Sequence, residues 1–133
     1  MIVSSGLQIN WNKIKGAKEA LDDPSQNVVS IYDFNYASKT SQKGAEFKGG
    51  KAIFTEPPMP IKCAGAPQKI LYLWTNQWQK NNIPVDVEFY KTVGVMFAVP
   101  KYASALTRIA ANYNIQTTFL HQLVEVKENK AIF

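Results

Sequence analysis

The middle of this 133-residue chain has a strand, helix, strand pattern, and this pattern is what most limits the fold. The run KAIFT, which begins at Lys51, is apolar and fits a buried strand. In the following PQKILYLWTNQWQK, apolar side chains recur at helical spacing, and Pro67 lies near the helix start, where its missing N–H costs nothing. VDVEFY then alternates, with Val85, Val87 and Phe89 on one face. The pattern predicts a βαβ unit with parallel strands.

The rest of the C-terminal half extends this unit into an α/β fold. The first helix is predicted to place on one stripe Ile70, Leu73, Trp74 and Trp78. A second helix, PKYASALTRIAANY, is predicted to begin at proline and to place on one face Tyr102, Leu106, Ile109, Ala110 and Tyr113. IQTTF predicts a third strand, and LVEVKENKAIF predicts a C-terminal β-hairpin around the turn Glu128, Asn129 and Lys130.

The first fifty residues give weaker signals. MIVSSGLQI predicts a short strand that runs into a turn at Gly6, and the following NWNKIKGAKEALDDPSQN is polar and predicts irregular structure. DFNYASKTSQKGAEFKGG predicts an amphipathic helix, with Asp33 as its N-cap and a stop at Gly49 and Gly50. Because strand patterns lie at both ends of the chain, we expect it to be a piece of a larger protein.

The turn between the first strand and the helix lacks the features of a dinucleotide site. Such a turn normally carries G-x-G-x-x-G, so that the backbone can approach a pyrophosphate. Here it reads TEPPMPIKCAGAP, in which Pro57, Pro58 and Pro60 have no amide donors. The second strand ends in Phe89 and Tyr90, where an acid that binds ribose would be expected. The sequence therefore predicts that the fold is kept and the dinucleotide site is lost.

The same turn carries Cys63, the only cysteine of the chain. A connection of about a dozen residues is long for this position, and long loops are usually functional. A thiolate at Cys63 would be stabilised by the helix N-terminus and by Lys62 and Lys69. The alternative is a buried structural cysteine. One cysteine forms no internal disulfide, which indicates a reducing compartment or a partner cysteine outside the chain.

Several other classes of protein are not indicated. No apolar run reaches the length of a membrane span, and the N-terminus lacks the pattern of a signal or transit peptide. The formal net charge of +5 comes from scattered lysines, without the basic stripe of a nucleic-acid-binding protein. His121 has no partner at metal-ligand spacing, so no metal site is predicted.

The segment PIKCAGAPQKILYL closely resembles the region around the redox-active cysteine of eukaryotic, mitochondrial-type sulfide:quinone oxidoreductases, flavoproteins of the pyridine-nucleotide-disulfide reductase type. GLQINWNKIKG, GGKAIFT, VPKYASAL and LVEVKENKAIF resemble further pieces of that family in the same order, so the resemblance covers essentially the whole chain. It implies a Rossmann-like βαβ domain truncated at both ends. Residues 1–50 would be the end of an FAD-domain strand with a connecting segment and helix, and residues 51–133 an incomplete second dinucleotide-binding-type domain.

The resemblance also implies a mechanism and its site residues. FAD would be bound upstream of Met1, and a second catalytic cysteine and a membrane-associating segment would lie beyond Phe133. Sulfide would attack a disulfide or trisulfide between Cys63 and that cysteine, and one sulfur would become a persulfide. Electrons would pass through FAD to ubiquinone, and a small acceptor such as glutathione or sulfite would take the sulfur. Gly6 is expected to contact the cofactor. From its charge and position alone, Lys69 is expected to contact an anionic acceptor or the flavin.

Two alternatives remain open at this point, together with three expectations. The chain could be part of a flavoprotein that oxidises NADH for quinone, which predicts a glycine-rich phosphate turn. It could also be a noncatalytic α/β interaction domain, which predicts a buried, unreactive Cys63. The resemblance implies a location at the mitochondrial inner membrane and an inactive isolated chain. An exposed strand edge at Phe133 predicts self-association.

Overall fold

The computed structural model describes residues 1–128 and 130–133. Its main sheet has three parallel strands in the order β1-β2-β3. These are β1 (Gly50–Glu56), β2 (Val85–Lys91) and β3 (Gln116–Thr118). Helix α3 (Ala66–Lys80) joins β1 to β2, and helix α4 (Pro100–Asn112) joins β2 to β3. The predicted βαβ unit and the third strand are confirmed.

Strands β1 and β2 are paired along their whole length. Gly50 lies opposite Val85, and Glu56 lies opposite Lys91, so the two strands end at the same edge of the sheet. The predicted alternation of β2 is confirmed, because Val87 is 4% exposed and Phe89 is fully buried. Each such side chain contributes about 1.5–3 kcal/mol of hydrophobic free energy on burial. The core cluster consists of Leu71, Val87, Phe89, Met96, Ala110 and Ile115.

The buried face of α3 differs from the predicted stripe. The buried side chains of α3 include Leu71, Thr75 and Trp78, which are four and three positions apart. Ile70 and Trp74 are half-buried, whereas Leu73 is 55% exposed, so its predicted place in the core is wrong. Polar Thr75 is buried at little cost because its hydroxyl donates to the Leu71 carbonyl at 2.7 Å.

The predicted face of α4 is confirmed in part. Leu106, Ala110 and Tyr113 pack at the core together with Ala103, whereas Tyr102 and Ile109 are exposed. Both helices carry their proline at the start, as predicted: Pro100 opens α4, and Pro67 is the second residue of α3. The helices are therefore correct in extent, and the errors concern which side of each helix meets the core.

The N-terminal residues do not form the predicted strand. Residues 1–9 have no regular structure, and all except Ile9 are exposed, because no neighbouring strand pairs with them. The next segment, predicted to be irregular, contains a 3₁₀ turn (Trp11–Lys13) and helix α1 (Ala17–Asp22). Helix α1 is stabilised by burial of Ala17, Ala20 and Leu21, since six residues alone do not make a stable helix.

The predicted helix of DFNYASKTSQKGAEFKGG is confirmed in outline. The Asp33 carboxylate accepts a hydrogen bond from the Asn35 amide at 2.9 Å and caps a 3₁₀ turn (Phe34–Tyr36), which continues into α2 (Ala37–Glu46). The helix ends before the two predicted glycines. The α2 residue Gly44 lies against α3, where its carbonyl accepts a hydrogen bond from Trp78 Nε1 at 3.0 Å.

The C-terminal hairpin is present as a second, separate sheet. Strands β4 (Glu125–Lys127) and β5 (Lys130–Ile132) are antiparallel, as predicted, whereas residue 129 of the predicted turn lies outside the described residues. The hairpin docks on the N-terminal region, because the Lys15 amide donates to Val124 O and the Val126 amide donates to Lys15 O. Among the helices that the structure describes, none has the length and apolar character of a membrane span.

Candidate functional site

The carboxyl edge of the main sheet carries a buried ion pair. Glu56, the last residue of β1, and Lys91, the last residue of β2, lie directly opposite each other and form a salt bridge. Lys91 is 1% exposed and Glu56 is 8% exposed. In parallel α/β sheets ligands bind outside this edge, so the pair lies beneath the place where a site is expected.

The loop that leaves this edge positions Cys63. It comprises residues 57–65, connects β1 to α3, and exposes the Cys63 thiol to solvent. The Cys63 carbonyl accepts a hydrogen bond from the Ala66 amide at 3.3 Å, which forms a turn into the first residue of α3. The predicted position, just before the helix, is confirmed, and the buried structural cysteine of the alternative reading is not observed.

A second contact to Cys63 comes from Tyr32, a residue that the sequence analysis did not select. The Tyr32 hydroxyl donates to the Cys63 carbonyl at 2.9 Å, and Lys62 Nζ donates to the Tyr32 carbonyl at 3.1 Å. Burial raises the pKa of the Tyr32 phenol, and the negative charges of Cys63 and Glu56 raise it further. Tyr32 precedes Cys63 by 31 positions, so no local sequence signal indicated the contact.

Lys69 lies on the first turn of α3, at the same end of the helix as Cys63. It lines a cavity of about 230 Å³ together with Gly65, Gln68, Tyr72, Phe97 and Leu106. Two of these side chains are fixed by hydrogen bonds: Gln68 Nε2 donates to Met96 O at 2.6 Å, and Tyr72 Oη donates to Leu106 O at 3.1 Å. The cavity is thus a formed recess with the Lys69 cation at its side, and its first lining residue, Gly65, lies two positions beyond Cys63.

Gly6 lies apart from these residues. Its segment is exposed, and among the described residues none forms a hydrogen bond with it. Its φ of +71° lies in the left-handed region that favours glycine, and no atom lies within 4 Å of the position of an added Cβ. The structure brings Cys63 and Lys69 to one end of α3 and leaves Gly6 on an open stretch of backbone.

The residues at the sheet edge do not fit a dinucleotide pyrophosphate. Pro57, Pro58 and Pro60 offer no amide donors, and the place of a ribose-binding acid at the end of β2 is taken by Lys91, which is paired with Glu56. At Gly6, Gly50 and Gly65 no atom lies within 4 Å of an added Cβ, so the backbone is open to a ligand at these glycines. The described residues therefore form no complete dinucleotide site.

Parallel strands, helical crossovers and a cysteine loop at the carboxyl edge define a Rossmann-like α/β unit. The chain is similar over its whole length to three mitochondrial sulfide:quinone oxidoreductases. It is 38% identical to that of Schizosaccharomyces pombe and 37% identical to that of Dictyostelium discoideum, covering 100% of this chain and 30% of each relative. It is 36% identical to that of Mus musculus, covering 98% of this chain and 29% of the relative.

The chain is therefore similar to a segment of sulfide:quinone oxidoreductases, and the resemblance seen in PIKCAGAPQKILYL is confirmed. It spans about 30% of the length of these relatives. Because all three are named mitochondrial, the mitochondrial location inferred by resemblance is confirmed as well. No family model matches the chain.

Solved structures confirm the fold class. A chain in the mitochondrial ATP synthase structure of Tetrahymena thermophila is similar with a TM-score of 0.74 and 17% identity, covering 96% of this chain and 34% of that chain. The sulfide:quinone oxidoreductase of Aquifex aeolicus is similar with a TM-score of 0.69 and 18% identity, covering 95% of this chain and 29% of that chain. At such low identity the two likenesses concern the fold alone.

Proposed function

We propose that this chain is part of a flavoenzyme that oxidises sulfide and reduces quinone, and that Cys63 is one of its two sulfur-handling cysteines. The observation that supports this most is the exposed Cys63 at the carboxyl edge of a sheet, in a chain 36–38% identical to sulfide:quinone oxidoreductases. Residues 1–50 would belong with a flavin-binding domain and residues 51–133 with a second Rossmann-like domain that has lost its dinucleotide site.

The proposed reaction at Cys63 balances with a second cysteine from elsewhere in the protein. Hydrosulfide attacks a disulfide between the two cysteines; with a trisulfide the steps are the same, except that the leaving group and the re-formed bridge each keep one more sulfur. One S–S bond breaks, one cysteine sulfur carries the added sulfur as a persulfide, and the other leaves as a thiolate. A thiol or sulfite acceptor then takes the outer sulfur. When the two thiolates re-form the disulfide, two electrons are released. A bound flavin supplies the chemistry that accepts this electron pair and passes it with protons to ubiquinone.

The chain's own residues have distinct tasks in this proposal. The exposed loop presents the Cys63 sulfur to its reaction partners. Lys69, beside the 230 Å³ cavity, attracts an anionic sulfur acceptor or lies against the flavin. Gly6 lets a flavin approach the backbone, because no side chain of its own intervenes. Attachment to the inner membrane would depend on a segment outside this chain.

The two alternatives are less well supported. A flavoprotein that oxidises NADH needs amide donors at the β1–α3 turn, and that turn carries Pro57, Pro58 and Pro60. A noncatalytic interaction domain predicts a buried Cys63, and the thiol is exposed.

The test uses the full-length protein. We expect sulfide to bleach its visible flavin absorbance, added quinone to restore it, and Cys63→Ser to abolish both changes. Ala64→Ser is the matched control, because it places the same side chain at the adjacent exposed position and keeps the thiol. A protein without flavin, or a Cys63→Ser variant that bleaches normally, would refute the proposal.

A further inference from the structure

The loop that carries Cys63 is held at both ends by residues outside it. At its start, Glu56 is fixed by Lys91, and Thr92 Oγ1 donates to the Pro57 carbonyl at 3.3 Å. At its end, Tyr32 Oη donates to the Cys63 carbonyl at 2.9 Å. Between these anchors, residues 58–60 are exposed, so the position of the thiol depends on the contacts at the two ends.

The contact at the Cys63 end is reciprocal. Tyr32 donates to the backbone of Cys63, and Lys62 Nζ donates back to the Tyr32 carbonyl at 3.1 Å. The Cys63 carbonyl also accepts the Ala66 amide, so both of its lone pairs are used. With its carbonyl oriented from two sides, the Cys63 peptide plane has little freedom to rotate, and the Cα–Cβ bond of Cys63 has a defined direction.

We propose that Tyr32 is a positioning residue for Cys63, which holds the thiol in the direction that its reaction partners require. The effect of Tyr32 on a reaction rests on the proposed function, whereas its positioning of the loop rests on the hydrogen bonds to the Cys63 carbonyl. Displacement of a reacting group by about 1 Å can lower a rate by up to about 100-fold, so one hydrogen bond to the cysteine backbone has a measurable effect.

The hydroxyl of Tyr32 is suited to this task over a wide pH range. Burial raises its pKa above the ordinary value of 10.0, and the charges of Cys63 and Glu56 raise it further. The phenol therefore keeps its proton, and remains a donor to the Cys63 carbonyl, throughout the pH range in which a thiol changes to a thiolate.

The test compares Tyr32→Phe with Tyr113→Phe in the full-length protein. Both remove one hydroxyl from a half-buried tyrosine, but the Tyr113 hydroxyl contacts Asn76 at the other end of α3. We expect Tyr32→Phe to lower kcat for sulfide-dependent quinone reduction about tenfold, with an unchanged KM for quinone. In the same variant, amide hydrogen exchange at Ala66 should become faster, and alkylation of Cys63 should not become slower. Tyr113→Phe should leave all of these unchanged.

The outcomes separate this inference from the proposed function. If the wild-type protein reduces no quinone with sulfide, the proposed function fails, and exchange at Ala66 still decides whether Tyr32 positions the loop. If the wild-type enzyme is active and Tyr32→Phe changes neither kcat nor exchange, the positioning role is refuted. If Tyr32→Phe folds poorly, exchange of the Tyr32 hydroxyl proton in the wild-type protein is followed by NMR instead, and exchange as fast as that of a free phenol would show that the bond to the Cys63 carbonyl is not made and would overturn the inference.

Discussion

Glu56 and Lys91 end two neighbouring parallel strands and form a buried ion pair with each other at the carboxyl edge of the sheet. The pair joins β1 to β2 beneath the loop that carries Cys63. Lys91 is 1% exposed and Glu56 is 8% exposed, so water does little to stabilise either charge. Removal of one partner would therefore leave the other charge buried and uncompensated.

We expect Lys91→Met to lower the free energy of unfolding by about 3–5 kcal/mol, since it leaves the Glu56 carboxylate buried and unpaired. The double variant Glu56→Leu/Lys91→Met should lose much less than the sum of the single variants, because no uncompensated charge remains. Urea unfolding of all three measures this coupling. Lys51→Met, which breaks an exposed pair with Glu88, is the control and should change little. If the losses in free energy of unfolding of the two single variants add up to the loss of the double variant, the buried pair is contradicted.

The exposure of Cys63 predicts rapid modification. In the folded chain, a small alkylating reagent near neutral pH should add one group at a rate similar to that of the urea-unfolded chain, because solvent reaches the thiol in both states. Mass spectrometry follows the reaction. Cys63→Ser should remain unmodified, since the chain has no other cysteine. A folded-state rate about tenfold or more below that of the unfolded chain would show that the thiol is protected.

The close contact between α2 and α3 predicts that Gly44→Ala destabilises the protein. A Cβ at residue 44 would lie 2.4 Å from the Trp74 ring. The overpacking costs about 1–3 kcal/mol, more than the roughly 0.5–1 kcal/mol that alanine contributes within a helix. Thermal unfolding followed by tryptophan fluorescence measures the loss. Gly94→Ala is the matched control, because its Cβ would meet Leu120 at an ordinary 3.7 Å. Equal melting temperatures of the two variants would contradict this packing.

Burial of Tyr72 predicts a late ionisation. It raises the pKa of Tyr72 to about 12, from an ordinary value of 10.0. Near-ultraviolet absorbance of the wild type minus that of Tyr72→Phe should therefore show one phenol that titrates near pH 12. Stability linked to this group is complete below about pH 10 and falls as pH rises towards about 12, because the unfolded chain releases the proton first. Titration of Tyr72 at its ordinary pKa would contradict the burial.

The main sheet offers further edges for self-association besides the one expected at Phe133, which follows β5 of the separate hairpin. The order β1-β2-β3 leaves one side of β1 and one side of β3 without a paired strand among the described residues, and Ile53 of β1 is 41% exposed. Unpaired, partly apolar edges favour strand pairing between molecules. Light scattering of the isolated chain at rising concentration should show an increasing mass, and Ile53→Lys should reduce it. A monodisperse monomer at high concentration would refute the expectation.

The sequence predicted the elements whose signals are local. Alternation located β2, and proline placed the starts of α3 and α4, because each signal acts within a few residues of its element. The buried side of α3 was not predicted correctly, since Leu71 and Leu73 are equally apolar and only the position of the sheet decides between them. Residues 1–9 have strand-forming side chains, but a strand also needs a neighbour that pairs with it.

The candidate site also combines residues that a local sequence signal indicated with residues that depend on contacts between distant parts of the chain. Cys63 was predicted from its uniqueness and its loop, Lys69 from its charge and position near the start of the helix, and Gly6 from family resemblance. Tyr32 was missed because its contact spans 31 positions and uses only the backbone of Cys63. Glu56 and Lys91 carried a usable signal, namely charges of opposite sign at the last positions of two strands of equal length. That signal becomes readable only once the two strands are known to be parallel and in register.

The parallel sheet also affects how the chain reaches its native state. Gly50 of β1 pairs with Val85, 35 positions later, so the first strand pair closes only after the whole of α3 has been spanned. The pair β2–β3 likewise joins Glu88 to Gln116 across α4. Non-local pairings of this kind slow folding, because the entropy of loop closure is lost before the contacts compensate for it. The two crossover helices therefore set the order of assembly: the sheet forms as they dock, whereas the hairpin β4–β5 closes by a local route.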